Sequence, residues 1–278
     1  MTGHEARPGF AALEAGLEDK RGRIGVALRR LVAAGECGPV AAAIADILFA
    51  PAKRLRPILG LMVAEALGAD PAPVLPAACA VEMVHTASLV LDDLPCMDHA
   101  TVRRGRPALH LLHGEANAVL AAFALLNRAF EVLAEGWAGG PDPAARVEMA
   151  RELAGAVGLS GMIAGQAHDL AQRGRRLDAA TVALIDSRKT GALFVACAVL
   201  AARAVGATPA ETGALAAYAR SFGLAFQVVD DLIDAPAAAG DRGRAPALIA
   251  AGEAALAPFG ASAQPLRDLA RYVAARRR

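Results

Sequence analysis

The sequence predicts an all-α protein: a single domain over residues 1–278, built as a bundle of about ten or more helices. Three observations carry that reading. Hydrophobic residues make up 55% of the 278 and aromatic residues only 4%, so alanine, leucine and valine must fill the core. Alanine is the best helix former and loses no side-chain entropy in a helix. Apolar residues also recur at helical spacing along nearly the whole chain, without strand-type alternation. Finally, the apolar positions wrap around several faces of each helix, as in helices packed inside a large bundle.

Breakers set the elements apart: Pro51, Pro57, the stretch from Asp70 to Pro76, Pro95, Gly105 to Pro107, the loop at 138–143, Gly174, Pro209 and the segment 235–246. The loops are short, and no Ser/Gly-rich linker or fixed-period repeat interrupts them. The 29 Lys+Arg balance 28 Asp+Glu, which excludes a general nucleic-acid or anionic-membrane binder, since that needs a basic excess. Cys37, Cys79, Cys96 and Cys197 form no CxxC pair and lie among apolar neighbours, so they are expected to be buried reduced thiols. The first ten residues hold no apolar stretch of signal-peptide length. No strictly apolar run approaches the ~18 residues of a membrane span. Arg203 ends the run from Gly191 to Ala202, and Ser160, Gln166 and several glycines interrupt Leu153 to His168. The expectation is a soluble, cytoplasmic protein without stable membrane insertion.

In chain order, five charged segments break the apolar background. Lys53-Arg54-Leu55-Arg56-Pro57 lies at a loop-to-helix junction. Next, His85, Ser88 and Asp92 share one helix face, and Pro95 ends that helix so that Asp98 can curl back towards Asp92. Arg103-Arg104-Gly105-Arg106-Pro107 follows closely. Lys189-Thr190-Gly191 opens a long apolar helix, where free N–H groups and the helix dipole favour an anion. In the last segment, Gln227, Asp230, Asp231 and Asp234 obey the i, i+3, i+4, i+7 rule and share a face.

Adjacent carboxylates among leucine, valine, isoleucine and phenylalanine, with no Lys or Arg one turn away, repel each other and are costly to bury. A solvated helix face does not fit those neighbours, whereas a cation resolves the conflict. All-oxygen ligands suit Mg²⁺, which usually shares its shell with substrate phosphates. Phosphate in turn calls for fixed cations such as the three basic segments. Glu82 and His85 have the ExxH spacing of di-iron bundles, but none of the other five histidines supplies the second ExxH such sites need.

Taken together, these segments resemble the trans-isoprenyl diphosphate synthases, or polyprenyl synthetases, from about Phe49 to the run that ends at Arg276. KRLRP is similar to the family's GKRLRP element, with Ala52 in place of the glycine. DDLPCMD (Asp92 to Asp98) resembles the longer form of the first aspartate-rich motif. RRGRPALH, GMIAGQAHDL (with Gln166 and Asp169), KTGALF and FQVVDDLID follow in the family's order. LVLDDLPCMD together with GEANAVLAAFALL is most similar to bacterial carotenoid-pathway geranylgeranyl diphosphate synthases.

The resemblance implies an isoprenoid synthase-type fold around a central cavity, and a homodimer. It implies head-to-tail condensation of isopentenyl diphosphate with dimethylallyl, geranyl or farnesyl diphosphate. Asp92, Asp98 and Asp230 would hold three Mg²⁺ on the allylic diphosphate, with Asp93, Asp231 and Asp234 completing the shells. Arg103, Lys189 and Gln227, beside Thr190 and Gln166, would contact the allylic substrate. Lys53, Arg56, His85 and Arg104 would hold the diphosphate of isopentenyl diphosphate. Metals and basic side chains stabilise the departing diphosphate, which also removes the proton, so no protein nucleophile is needed. An apolar wall keeps water from the allylic cation. Ala87 and Ser88 lie one turn or so before Asp92 and are small, so the growing tail passes deeper. A twenty-carbon product follows, unless a larger side chain such as Phe123 sets the floor.

One departure stands out. The family usually carries a Gly-Lys loop after the second motif, whose lysine contacts the allylic diphosphate. Here Ala235 to Gly240 is short and uncharged, so that contact is missing unless Arg242 or Arg244 substitutes. Losing it weakens binding and rate by about one to a few kcal/mol. Alternatives are a farnesyl diphosphate synthase, a class I terpene cyclase and a non-catalytic partner of an active synthase. The cyclase normally has an Asn/Ser/Glu triad where this chain has DDLID, and has little use for Lys53, Arg56 and Arg104. The non-catalytic partner rests on the shortened loop, against six intact motif aspartates.

Overall fold

Thirteen α-helices occupy the stretches between breakers among the described residues, which in this computed structural model are 10–32, 38–175, 177–234 (Asp234 by its backbone only) and 244–276. They are α1 (Ala11–Val32), α2 (Gly38–Leu48), α3 (Leu55–Ala66), α4 (Leu75–Asp92), α5 (Leu109–His113), α6 (Glu115–Glu135) and α7 (Pro143–Val157). There follow α8 (Met162–Gln172), α9 (Ala179–Asp186), α10 (Ala192–Ala204), α11 (Pro209–Asp234), α12 (Arg244–Ala255) and α13 (Gln264–Ala274). Two starts, those of α7 and α9, carry side-chain caps. The Asp142 carboxylate accepts from the Ala145 N–H at 2.8 Å with Pro143 in the first turn, and Asp178 accepts from Thr181 at 2.7 Å.

The core is centred on α4, which packs against α3, α6 and α10, while α10 also meets α7 and α11. Small residues set these approaches. A methyl group at Gly60 of α3 would meet Cys197 Sγ of α10 at 3.1 Å and Ala78 Cβ of α4 at 3.4 Å, so the three helices converge where the side chain is missing. Ala77, Ala78, Ala80, Ala198, Ala201 and Ala202 are all buried. Four of the aromatics cluster on α10 and α11, where Phe194 and Phe222 meet edge to face at 5.3 Å. The Tyr218 hydroxyl donates to the Leu266 carbonyl at 2.6 Å and ties α11 to α13.

Four details differ from the sequence expectation. By length and composition α4 and α6 can each cross a membrane, because a mean hydropathy tolerates the single polar residues that interrupt a strict run; the α4 window is 67% buried, as a core helix is, and the α6 window 39%. A short antiparallel hairpin joins Val102–Arg103 to Arg106–Pro107, with positive φ at Arg104 and Gly105 as a two-residue turn demands. Cys79 and Cys197 are buried, but Cys96 is exposed because α4 has already ended; Cys37 lies outside the described residues. Lys189-Thr190-Gly191 does not open a helix: Ser187–Gly191 is one turn of π-helix that joins α9 to α10 without a free N-terminus.

Candidate active site

Two cavities meet at a common partition formed by Ser88, Asp92 and Lys189. One, of about 570 Å³, is lined by charged groups from the α3 entry, α4, the hairpin, the π-turn and α11. The other, of about 250 Å³, lies between α4, α6 and α8 and is almost wholly apolar.

The charged chamber is built from the α3 junction upward. Arg54 takes a left-handed conformation (φ 53°) at the helix start, which turns the chain sharply. Its guanidinium points inward, 2.5 Å from the Glu82 carboxylate, and donates to the Leu48 and Ala50 carbonyls. Arg54 and Glu82 are therefore a buried structural pair, and the neighbouring Lys53 and Arg56 line the chamber. The Arg56 guanidinium sits 4.5 Å over the Phe194 ring, and burial lowers its pKa to about 10, so it stays charged at neutral pH. Burial, then Arg56 and Arg104, push the His85 pKa well below its usual value and leave a neutral imidazole on the wall. Arg104 joins the same wall from the hairpin tip and donates to the Ile47 carbonyl at 3.3 Å.

At the first acidic segment α4 stops at Asp92. The Asp98 N–H donates to the Asp92 carbonyl at 2.8 Å, which curls the chain back. Asp92 faces both cavities, and its pKa rises to about 6, chiefly through burial; Asp98 and Asp93 add to the rise, and Lys189 and Arg103 oppose it. Asp93 is only 1% exposed and is gripped by Arg103, whose Nε lies 3.0 Å from both carboxylate oxygens. Its carboxylate is thus committed to Arg103. Asp98 accepts from Arg173 at 2.6 Å, and Arg173 also donates to the Met97 carbonyl at 2.8 Å.

Opposite, the π-turn presents Lys189, whose ammonium donates to Asp169 of α8 at 2.6 Å. A methyl group on Gly165 would come within 2.4 Å of the Lys189 backbone nitrogen, so α8 reaches the π-turn only through a glycine. Thr190 donates to Gln227 at 2.8 Å, and Gln227 donates to Asp231 at 2.8 Å. Asp230 lines the chamber and pairs with Arg276 at 3.0 Å, whereas Asp231 is exposed and the Asp234 side chain lies outside the described residues. Asp186, just before the π-turn, has its pKa raised to about 6 by burial and then by Asp231. Gln166 belongs to the apolar cavity, where both its amide atoms are buried without a hydrogen bond. Ala87 and Ser88 line that cavity from α4 and Phe123 from α6.

The chamber therefore gathers Lys53, Arg56, His85, Ser88, Asp92, Arg103, Arg104, Lys189, Thr190, Gln227 and Asp230. Sequence reasoning missed the ion pairs that compensate the aspartates, made by Arg103, Arg173 and Arg276. Their partners are distant in the chain, and local patterning carries no signal for them. Among the described residues no three of the types His, Cys, Asp and Glu converge on one point. Separate carboxylates on facing walls, one of them the half-buried Asp92, fit a hard cation that takes its remaining ligands from water and phosphate.

Fold and site together define an all-α protein of the isoprenoid synthase fold. The chain belongs to the polyprenyl synthetase family, whose model matches residues 39–246. It is 47% identical over 192 residues to geranylgeranyl pyrophosphate synthase 3, chloroplastic, of Arabidopsis thaliana, covering 67% of this chain and 53% of that one. It thus spans about half the length of that relative. Identity is 42% over 202 residues to the geranylgeranyl diphosphate synthase of Pantoea ananas, covering 72% of this chain and 66% of that one. It is 40% over 225 residues to the farnesyl diphosphate synthase of Geobacillus stearothermophilus, covering 80% and 75%. Among solved structures, an FPP/GFPP synthase from Zymomonas mobilis superposes with a TM-score of 0.87 at 35% identity, covering 95% of this chain and 99% of that one.

Proposed function

We propose that this protein is a Mg²⁺-dependent prenyltransferase that condenses isopentenyl diphosphate with dimethylallyl, geranyl or farnesyl diphosphate, and that its main product is geranylgeranyl diphosphate. The observation that carries the reading is the partition: Asp92 and Lys189 stand where a charged chamber opens into an apolar one. A molecule with a diphosphate head and a hydrocarbon tail has the same division. In this reading Asp92, Asp98 and Asp230 hold the magnesium, three ions in all, which supplies charge neutralisation to the departing diphosphate. Lys189 and Arg103 bind the allylic head beside them. Lys53, Arg56 and Arg104 bind the second diphosphate, with the neutral His85 as a hydrogen-bonding wall residue. Gln227 and Thr190 orient one another below the reacting carbon, and the apolar cavity excludes water from the cation.

The small Ala87 and Ser88 favour a tail longer than fifteen carbons. The farnesyl diphosphate reading is favoured by Phe123, which lines the same cavity and would close it if covered. Exposed Leu111, Leu112, Leu120 and Phe123 on α5 and α6 support a homodimer; a cytoplasmic protein without nucleic-acid partners or stable membrane insertion is part of the same proposal. The loop that would bear the family lysine lies outside the described residues, as does Arg242; Arg244 begins α12, and its charge acts on Asp186.

The test is incubation of purified protein with Mg²⁺, isopentenyl diphosphate and each allylic starter, followed by mass spectrometry of the dephosphorylated alcohols. Geranylgeraniol is expected. Farnesol alone would overturn the chain length, and no elongation by folded protein would overturn the activity in favour of a non-catalytic partner.

A further inference from the structure

We infer that Arg276 is a built-in counter-ion of the second acidic motif, and that an entering cation must displace it from Asp230. The inference rests on the reading of Asp230 as a metal ligand. Arg276 follows α13, and its side chain is 7% exposed. Nη1 lies 3.0 Å from Asp230 Oδ1 but is too poorly aligned for a hydrogen bond, so its donor capacity is unspent. The guanidinium carbon sits 5.4 Å from the centre of the Phe226 ring, and Lys53 Nζ covers the same ring at 5.9 Å. Phe226 and Asp230 are one helical turn apart on α11, and both line the chamber. Arg276 thus approaches the chamber beside the cation that serves the second substrate.

A buried guanidinium must keep an anion. A divalent cation at Asp230 competes for the one it has. Cation binding therefore works against the pair: the metal-free protein holds Asp230 on Arg276, and the cation binds at the expense of that contact.

Mn²⁺, read by the loss of its free-ion signal in electron paramagnetic resonance, reports cation binding without substrate or turnover. Arg276→Met is expected to bind Mn²⁺ about tenfold more tightly at the site that Asp230→Asn removes, since a partly buried competing charge is gone. Arg276→Lys is expected to stay near the wild-type affinity. Equal Mn²⁺ affinity in wild type and Arg276→Met would overturn the inference while leaving the synthase reading intact. A wild-type protein without any site sensitive to Asp230→Asn would instead overturn the metal site itself. Circular dichroism checks the fold, and Arg276→Gln replaces the methionine variant if that variant unfolds.

Discussion

The two chambers share a wall but are stabilised by opposite means. The apolar chamber is held by shape: alanine and leucine side chains of α4, α6 and α8 meet with few hydrogen bonds, and one residue added or trimmed changes its depth. The charged chamber is held by pairing, with Arg54 on Glu82, Arg103 on Asp93, Arg173 on Asp98, Lys189 on Asp169 and Arg276 on Asp230. Removing one side chain there leaves a partner charge without its counter-ion. Packing tolerates graded change, whereas ion pairing fails abruptly. The partition residues Asp92 and Lys189 belong to both.

That contrast can be broken most directly at Asp92. Under the proposed function, Asp92→Ala is expected to lower the elongation rate by ~10³-fold or more, because a carboxylate that holds the metal would act on the transition state; radiolabelled isopentenyl diphosphate would measure it. Next in size, Arg54→Met strands the buried Glu82 and is expected to cost about 3–5 kcal/mol, lowering the melting temperature by about 10 °C. Calorimetry would check it, and an unchanged transition would refute the structural role given to the pair.

A third expectation concerns pH. The Asp92 pKa stands near 6 in the folded protein against 3.8 ordinarily, so the folded state binds the extra proton between those values. The metal-free protein should therefore lose stability as pH rises from about 4 through 6, and Asp92→Asn should stabilise it at pH 7 by on the order of 2 kcal/mol. Denaturant titrations at pH 5 and 7, on wild type and variant, test both statements. Cation binding runs the other way and is expected to weaken about tenfold per pH unit below 6, as the ligand must be deprotonated. The mildest change is Ala87→Phe in the apolar chamber, expected to cost about 1–3 kcal/mol through overpacking and to shorten the product while elongation continues. An unaltered product distribution would move the length determinant away from α4.

Much of this was legible beforehand because helical periodicity and charge on an apolar background are local signals. The curl from Asp92 to Asp98 follows from one proline at Pro95. The shared face of Gln227 and Asp231 follows from their spacing. What escaped depends on backbone twist or on distant contacts. KRLRP reads as three equivalent cations until the left-handed Arg54 turns one of them inward. KTG reads as a helix start because a long apolar run follows it, so nothing local announces a π-turn there. Asp93 looks like a second metal ligand beside Asp92 until the hairpin brings Arg103 onto it.

The π-turn has a consequence for how sequence length encodes the site. Ser187–Gly191 takes a wider winding than the helices on either side of it, and such turns amount to one residue more than a regular α-helix needs. Deleting one residue there would restore the regular ladder and leave α9 and α10 in nearly the same angular relation, because the wider turn had absorbed the extra residue. Every amino acid type in the site would survive such a deletion. The widened turn that carries Lys189 to Asp169 would be lost, however, and the ammonium would shift away from its partner. Lys189 therefore depends on a count as well as on an identity, and a point-substitution scan of this segment would never expose that dependence.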